Sequence, residues 1–211
     1  MTEEDIKDNY IDKTARIISV AFHPVFMPVY GLLLIFWVPT LFGYLPFNVK
    51  KILLSIVLLN NVLLPLSLLP YLKYRNQITS WTMESRRERI LPLFLATILY
   101  AATTYMIIRY PVPLFIKTFV VGIFFVSLAL TAINLWWKIS VHASACGALS
   151  AMIIILTFRM NSYLLWPLIT VIVVSGFILS ARLKLNAHSS AEVWAGYFLG
   201  LAVLSLLMGV L

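Results

Sequence analysis

The chain has 211 residues, 62% of them hydrophobic and 11% charged, with a formal net charge of +8. Soluble domains run at about 45–50% apolar and about 25% charged, so this composition excludes a water-soluble enzyme, a disordered chain and a disulfide scaffold. Five of the eight acids (Glu3, Glu4, Asp5, Asp8, Asp12) lie in the first twelve residues, and the rest of the chain carries about +12, an excess that suits anionic headgroups or an anionic substrate.

Residues 1–16 read as a polar acidic N-terminal tail, and MTEEDIKDNY lacks the basic start and small-residue cleavage site of a signal peptide. From residue 17 to 211 the chain reads as a single transmembrane domain. Uncharged runs fall at about 17–42, 52–72, 90–108, 118–137, 143–158, 160–181 and 193–211. A helix needs about 20 apolar residues to span the hydrocarbon core. The expected fold is therefore all-α, a polytopic bundle of six or seven membrane-spanning helices. Six is the alternative because Pro24, Pro28 and Pro39 can kink the first run or make it re-enter. The run 143–158 is short, and so is expected to be tilted or partly buried in protein. Small residues at Ala143, Gly147, Ala151, Gly196 and Gly200 suit close helix packing, within the chain in preference to a dimer seam. The single Cys146 excludes an intramolecular disulfide.

Seven crossings put the N-terminus, 73–89, 138–142 and 182–188 on one side, with 42–51, 109–117 and 159–162 on the other. Eleven bases against five favour the first side as cytoplasmic. Removing Arg86, Arg87, Arg89, Lys138 and Arg182 as candidate substrate ligands leaves six against five, which decides nothing.

Ionisable groups at membrane depth are expensive, and their default reading is functional. Three clusters qualify, all on the same side. The first runs from Glu84 to Pro92 and places Arg86, Arg87 and Arg89 just ahead of an apolar helix, with Pro92 near its first turn. Guanidinium groups make forked hydrogen bonds to phosphate oxygens; an ordinary positive loop anchored to lipid headgroups is the plainer reading. Glu84 and Glu88 are expected to ion-pair with these arginines and aim them. The second cluster places Ser140 and His142 where a helix should begin, and backbone N–H groups at a helix start attract anions. The third runs from Arg182 through His188 to Glu192. His188 and Glu192 are four apart on one helix face, so the carboxylate can fix the tautomer of the imidazole.

These clusters resemble the motifs of the PAP2 (type 2 phosphatidic acid phosphatase) superfamily. Its third motif, S-R-x5-H-x3-D, is similar to Ala181-Arg182, His188 and Glu192 followed by Val193, Trp194, Ala195 and Gly196. Its second, P-S-G-H, is similar to Ile139, Ser140, Val141 and His142. Its first, K-x6-R-P, is suggested by Arg86, Arg87, Arg89 and Pro92, while Glu84 and Leu91 stand at the strict Lys and Arg positions. The resemblance covers roughly 84–211.

The resemblance implies a phosphatase that needs no metal and no other cofactor. His188 would attack phosphorus and form a phospho-histidine, Glu192 would orient it, and His142 would protonate the leaving alkoxide and then activate water. Arg182, Ser140 and the arginines 86, 87 and 89 would hold the phosphoryl oxygens. The implied substrate is an anionic phospholipid or a polyprenyl phosphate or diphosphate, not a nucleic acid, in a bacterial inner membrane. Two alternatives stay open: a phosphotransferase using the same histidines, and a non-catalytic lipid-binding or transport protein that retains the pocket. Metal-dependent transferases need clustered aspartates for Mg²⁺, and no Asp follows Asp12.

Overall fold

Proline and glycine placement decides how the apolar runs become spans. In the computed structural model, which describes residues 3–81, 83, 85–161 and 163–210 (of 3–8 the backbone only), the described chain is helical and contains no strand. The helices are α1 (Glu3–Ala21), α2 (Met27–Trp37), α3 (Phe47–Leu58), α4 (Leu64–Tyr74), α5 (Arg86–Ile108), α6 (Leu114–Asn134), α7 (Val141–Met160), α8 (Leu165–Lys184) and α9 (Ser190–Val210). Among the described residues seven stretches are long and apolar enough to cross a membrane, with α1–α2 forming one and α3–α4 another.

The first run is broken, as its prolines require, yet it passes from one end of the bundle to the other. Pro24 disfavours helix at the residue before it, and His23 is extended (φ −62°, ψ 138°). A short 3₁₀ turn, Pro24–Phe26, leads into α2, whose Pro28 sits in the first turn where its missing N–H costs least. Met27 packs with Ala143 and Cys146 near the start of α7. Fifteen residues on, Phe42 stacks on Phe115 at the start of α6, ring centroids 5.1 Å apart, at the opposite end. The second span bends at a π turn, Leu59–Leu63, just ahead of Pro65. The acidic tail does not stand apart: its residues are continuous with 17–21 in α1, which lies against α8 with Asp12 3.9 Å from Lys184.

The core of the bundle is the parallel pair α7 and α9. The short run at 143–158 has become the most buried span of the seven. The pair touches through glycine. A Cβ on Gly147 would sit 1.9 Å from the Tyr197 carbonyl oxygen, and one on Gly200 1.8 Å from that of Ser144. One on Gly196 would sit 2.5 Å from the Ser140 oxygen. Backbone therefore rests on backbone, the small-residue mode of membrane helix packing, and the seam lies within the chain. Across the next seam, the Thr97 hydroxyl of α5 meets Ser127 and Thr131 of α6, each at 2.8 Å.

At the end away from α1, cations close helix termini. Lys117 donates to the Ile108 carbonyl (3.0 Å), Arg159 to that of Gly209 (3.0 Å), and Lys50 to that of Gly43. Exposed Trp37, Tyr44, Tyr163 and Trp166 ring this end, while Tyr74, Trp81 and Trp136 ring the other. Such belts mark the two membrane–water interfaces.

Gly200→Leu should force α7 and α9 apart, costing about 2–3 kcal/mol by overpacking. That corresponds to a fall of about 5–10 °C in the Tm of the detergent-solubilised protein. Gly176→Leu, where no atom lies within 4 Å of an added Cβ, should leave Tm unchanged. Equal Tm values for the two variants would show that the α7–α9 contact does not hold the bundle.

Candidate functional site

Three helices, α5, α7 and α9, begin at the same end of the bundle, each on a side-chain cap. Ser85 accepts from the Glu88 N–H (3.3 Å) and Ser140 from the Ala143 N–H (3.4 Å). Ser189 and Glu192 cap each other: the Glu192 N–H donates to Ser189 Oγ (3.3 Å), and the Ser189 N–H to Glu192 Oε2 (3.0 Å). This reciprocal box ties down the carboxylate as well as the helix start. Three positive macrodipole ends are thus gathered on one face.

Beneath them opens a cavity of about 230 Å³. Its head is lined by His23, Arg89, His142, Arg182 and His188. Below the head the walls are apolar. Arg89 to Tyr100 on α5, Leu130 to Phe119 on α6 and Leu72 to Asn61 on the second span are lining stretches of equal length, each about 16 Å of helix rise. The floor is Asn61, Tyr100 and Phe119. Asn61 is satisfied there by the Thr103 hydroxyl at 2.6 Å, and Phe119 presses on Gly31, where a Cβ would sit 2.2 Å from its ring.

His188 is oriented from both nitrogens. Nδ1 faces two acceptors, Glu192 Oε2 at 3.0 Å and the Lys138 carbonyl at 3.2 Å, so Nδ1 carries the proton and donates it. Nε2 then holds the lone pair and accepts from Arg89 Nη1 at 3.1 Å. Burial, and then the Arg89 guanidinium, lower the pKa of His188 to about 4. The ring is thus neutral, with a basic Nε2 on the cavity side, at any pH well above that value.

Arg89 is itself aimed by a bond from Nε to the Met83 carbonyl (2.8 Å), at a residue in the left-handed region (φ 46°). The Nε of Arg182 is buried and has no hydrogen-bond partner among the described residues. Two guanidinium groups face this cavity with Glu192 as the carboxylate beside them, an arrangement whose chemistry suits an anion. His142 bonds the Ser19 carbonyl through Nε2 (3.1 Å); a carbonyl only accepts, so Nε2 carries the proton and Nδ1 is the basic atom.

The structure therefore brings Arg89, His142, Arg182, His188 and Glu192 together. It does not bring Ser140, Arg86 or Arg87 to the cavity. Ser140 is fully buried as the cap of α7, Arg86 donates to the Asn134 carbonyl at 3.2 Å, and Arg87 is exposed. The reason is where α5 starts. The Ser85–Glu88 cap begins the helix at Arg86, so Pro92 lies inside it and Arg89, not its neighbours, falls on the inner face. Glu88 accepts from the Thr79 hydroxyl (2.6 Å) and makes no ion pair among the described residues; Glu84 lies outside those residues.

Sequence reasoning misses His23. The available signal was an ionisable His-Pro pair inside the first apolar run, which reads as a kink rather than as a ligand.

Fold and site define a multi-pass helical membrane protein with a basic, histidine-lined pocket above an apolar shaft. Against known proteins, the chain matches no family model, no curated sequence and no solved structure.

Since Arg89 is the charge next to His188, Arg89→Gln should raise the pKa of the imidazole and leave burial and the Arg182 guanidinium as the remaining depressing causes. Measured by NMR of ring-labelled histidine in micelles, the His188 titration should lie near 4 in the parent protein and at higher pH in the variant. An unmoved titration would show that the Arg89–His188 bond is not formed.

Proposed function

We propose that the protein is a membrane-embedded phosphatase that hydrolyses a lipid phosphate or diphosphate through a phospho-histidine on His188. The observation that carries this reading is the state of His188: proton fixed on Nδ1 by Glu192, lone pair on Nε2, between two guanidinium groups at the mouth of an apolar shaft. A phosphate head fits the cations, and a single alkyl or prenyl chain fits the shaft.

In the first half-reaction the phosphoryl oxygens draw Arg89 away from Nε2, and Arg182 gains its missing acceptor. Nε2 attacks phosphorus, and the P–O bond to the lipid breaks. His142, whose Nδ1 is unprotonated in the free site, takes up a proton there as the phosphate anion binds, and the alkoxide takes that proton, since Nε2–H is tied to Ser19. As His188 becomes positively charged, Glu192 stabilises it. In the second half-reaction water loses a proton to His142 Nδ1 and attacks the phospho-histidine, which releases phosphate and restores His188. The guanidinium groups match the charge of both transition states. We place the reaction at the cytoplasmic face of a bacterial inner membrane: of the five bases set aside as candidate ligands only Arg89 and Arg182 line the cavity, and without those two the site end still carries nine bases against five.

Phosphate release from lipid phosphates in detergent with EDTA tests the reading. His188→Ala should lose about 10³-fold or more in turnover, and Glu192→Gln about 10–100-fold. His142→Ala should slow a monoester more than a diphosphate, whose leaving group needs less protonation. Full activity of His188→Ala would place the nucleophile elsewhere. Binding of the lipid without turnover in the parent protein would favour the non-catalytic alternative, and transfer to an added alcohol the phosphotransferase.

The shaft also sets a length. With C–C bonds of about 1.5 Å, an extended chain of roughly a dozen carbons reaches its floor. Among alkyl phosphates, kcat/KM should rise to about that length and then level off. Phe119→Ala should move the plateau to longer chains; an unchanged profile would show that the chain lies outside the shaft.

A further inference from the structure

The break between α1 and α2 does more than bend the first span. It carries a third imidazole, His23, into the head of the cavity, where its ring stands edge-on to that of His142 at 5.5 Å between centroids. The tautomer of His23 follows from its local bonds. Nδ1 accepts from the Val25 N–H at 3.3 Å as the cap of the Pro24–Phe26 turn, so in the neutral ring the proton is on Nε2. That Nε2–H has no acceptor among the described residues. Ser19, one turn before His23, meanwhile holds Nε2 of His142. One short stretch of chain thus fixes the tautomers of two rings. It leaves a donor on His23 and an acceptor on His142 with no partner among the described residues, at the same end of the same cavity. The unpartnered Nε of Arg182 belongs to that cavity head as well.

We propose that His23 is a substrate-contacting residue: its Nε2–H donates a hydrogen bond to a non-bridging oxygen of the bound phosphate, alongside Arg89 and Arg182. This rests on the phosphate-binding part of the function proposed above and not on the hydrolytic step. A neutral donor here adds a directed bond without adding charge next to His142, which has to remain able to take up a proton. It also ties substrate binding to the first span, because the same ring caps the turn from which α2 starts.

The two nitrogens of His23 can be tested separately, because Asn places an amide near the position of Nδ1 and Gln places one near that of Nε2. His23→Asn keeps a cap acceptor for Val25 and removes the cavity donor. His23→Gln restores a donor near the phosphate and gives up the cap. The measurements are binding of dodecyl phosphate to the detergent-solubilised protein by calorimetry, its turnover, and Tm. His23→Asn is expected to bind about tenfold more weakly with Tm unchanged, as for the loss of a hydrogen bond to a charged group. His23→Gln is expected to bind within about threefold of the parent protein with a lower Tm. Parent-like binding by His23→Asn, or a loss confined to His23→Gln, would reduce His23 to a helix cap and overturn the proposal. No binding by the parent protein would overturn it as well. Binding without hydrolysis by the parent would refute the phosphatase reading alone, since the Asn and Gln comparison is made on binding.

Discussion

The backbone contact between α7 and α9 is the constraint on which the rest depends. Gly147, Gly196 and Gly200 let two parallel helices approach until carbonyl oxygens occupy the space where side chains would begin. At the site end this approach joins the Ser140 N–H to the Glu192 carbonyl at 3.2 Å, so the start of α7 is locked to the first turn of α9. His142 belongs to the first of these turns and His188 immediately precedes the second. Their relation is therefore set by glycine positions deep in the bundle and not by any direct bond between the rings.

Around this pair the chain uses ordinary helix-end chemistry to build an unusual place. Caps at Ser85, Ser140 and Ser189 satisfy orphan N–H groups. In doing so they choose which side chains face inward: Ser140 is consumed as a cap, while Arg89 is carried one turn into α5 and onto the cavity wall. Glu192 serves twice, as half of a capping box and as the acceptor that holds the tautomer of His188. Cations at the opposite end close helix C-termini, so the two basic faces of the bundle differ in kind: there the charges meet carbonyls of the chain, and here a buried guanidinium nitrogen has no partner among the described residues.

The pocket is amphipathic in the same sense as a lipid. Its charged head lies where the helix dipoles point, and its apolar shaft descends among the α4, α5, α6 and α7 side chains. A water-soluble phosphate would use only the head. A hydrocarbon would leave the guanidinium groups uncompensated. An anionic single-chain amphiphile satisfies both parts, and this complementarity supports the functional reading without help from any relative.

The sequence by itself determined the class of fold and the end of the bundle at which the three polar clusters gather. Spans follow from the length of apolar runs, because the bilayer demands about 20 residues per crossing, and odd-even counting places the three clusters together. The His188–Glu192 pair was legible because four residues make one helical turn. The clustered arginines were not resolvable in this way, since a one-residue change in where α5 begins rotates each of them by about 100°. The cap at Ser85 made that choice, with Arg86 turned to Asn134 and Arg89 to His188. His23 was hidden for a different reason. Its partners, His142 in a helix more than a hundred residues away and the cavity itself, exist only once α1 has docked on α8 and the His-Pro break has turned the chain inward. Local spacing carries information along one helix; which helix faces which, and at what depth, is decided by packing.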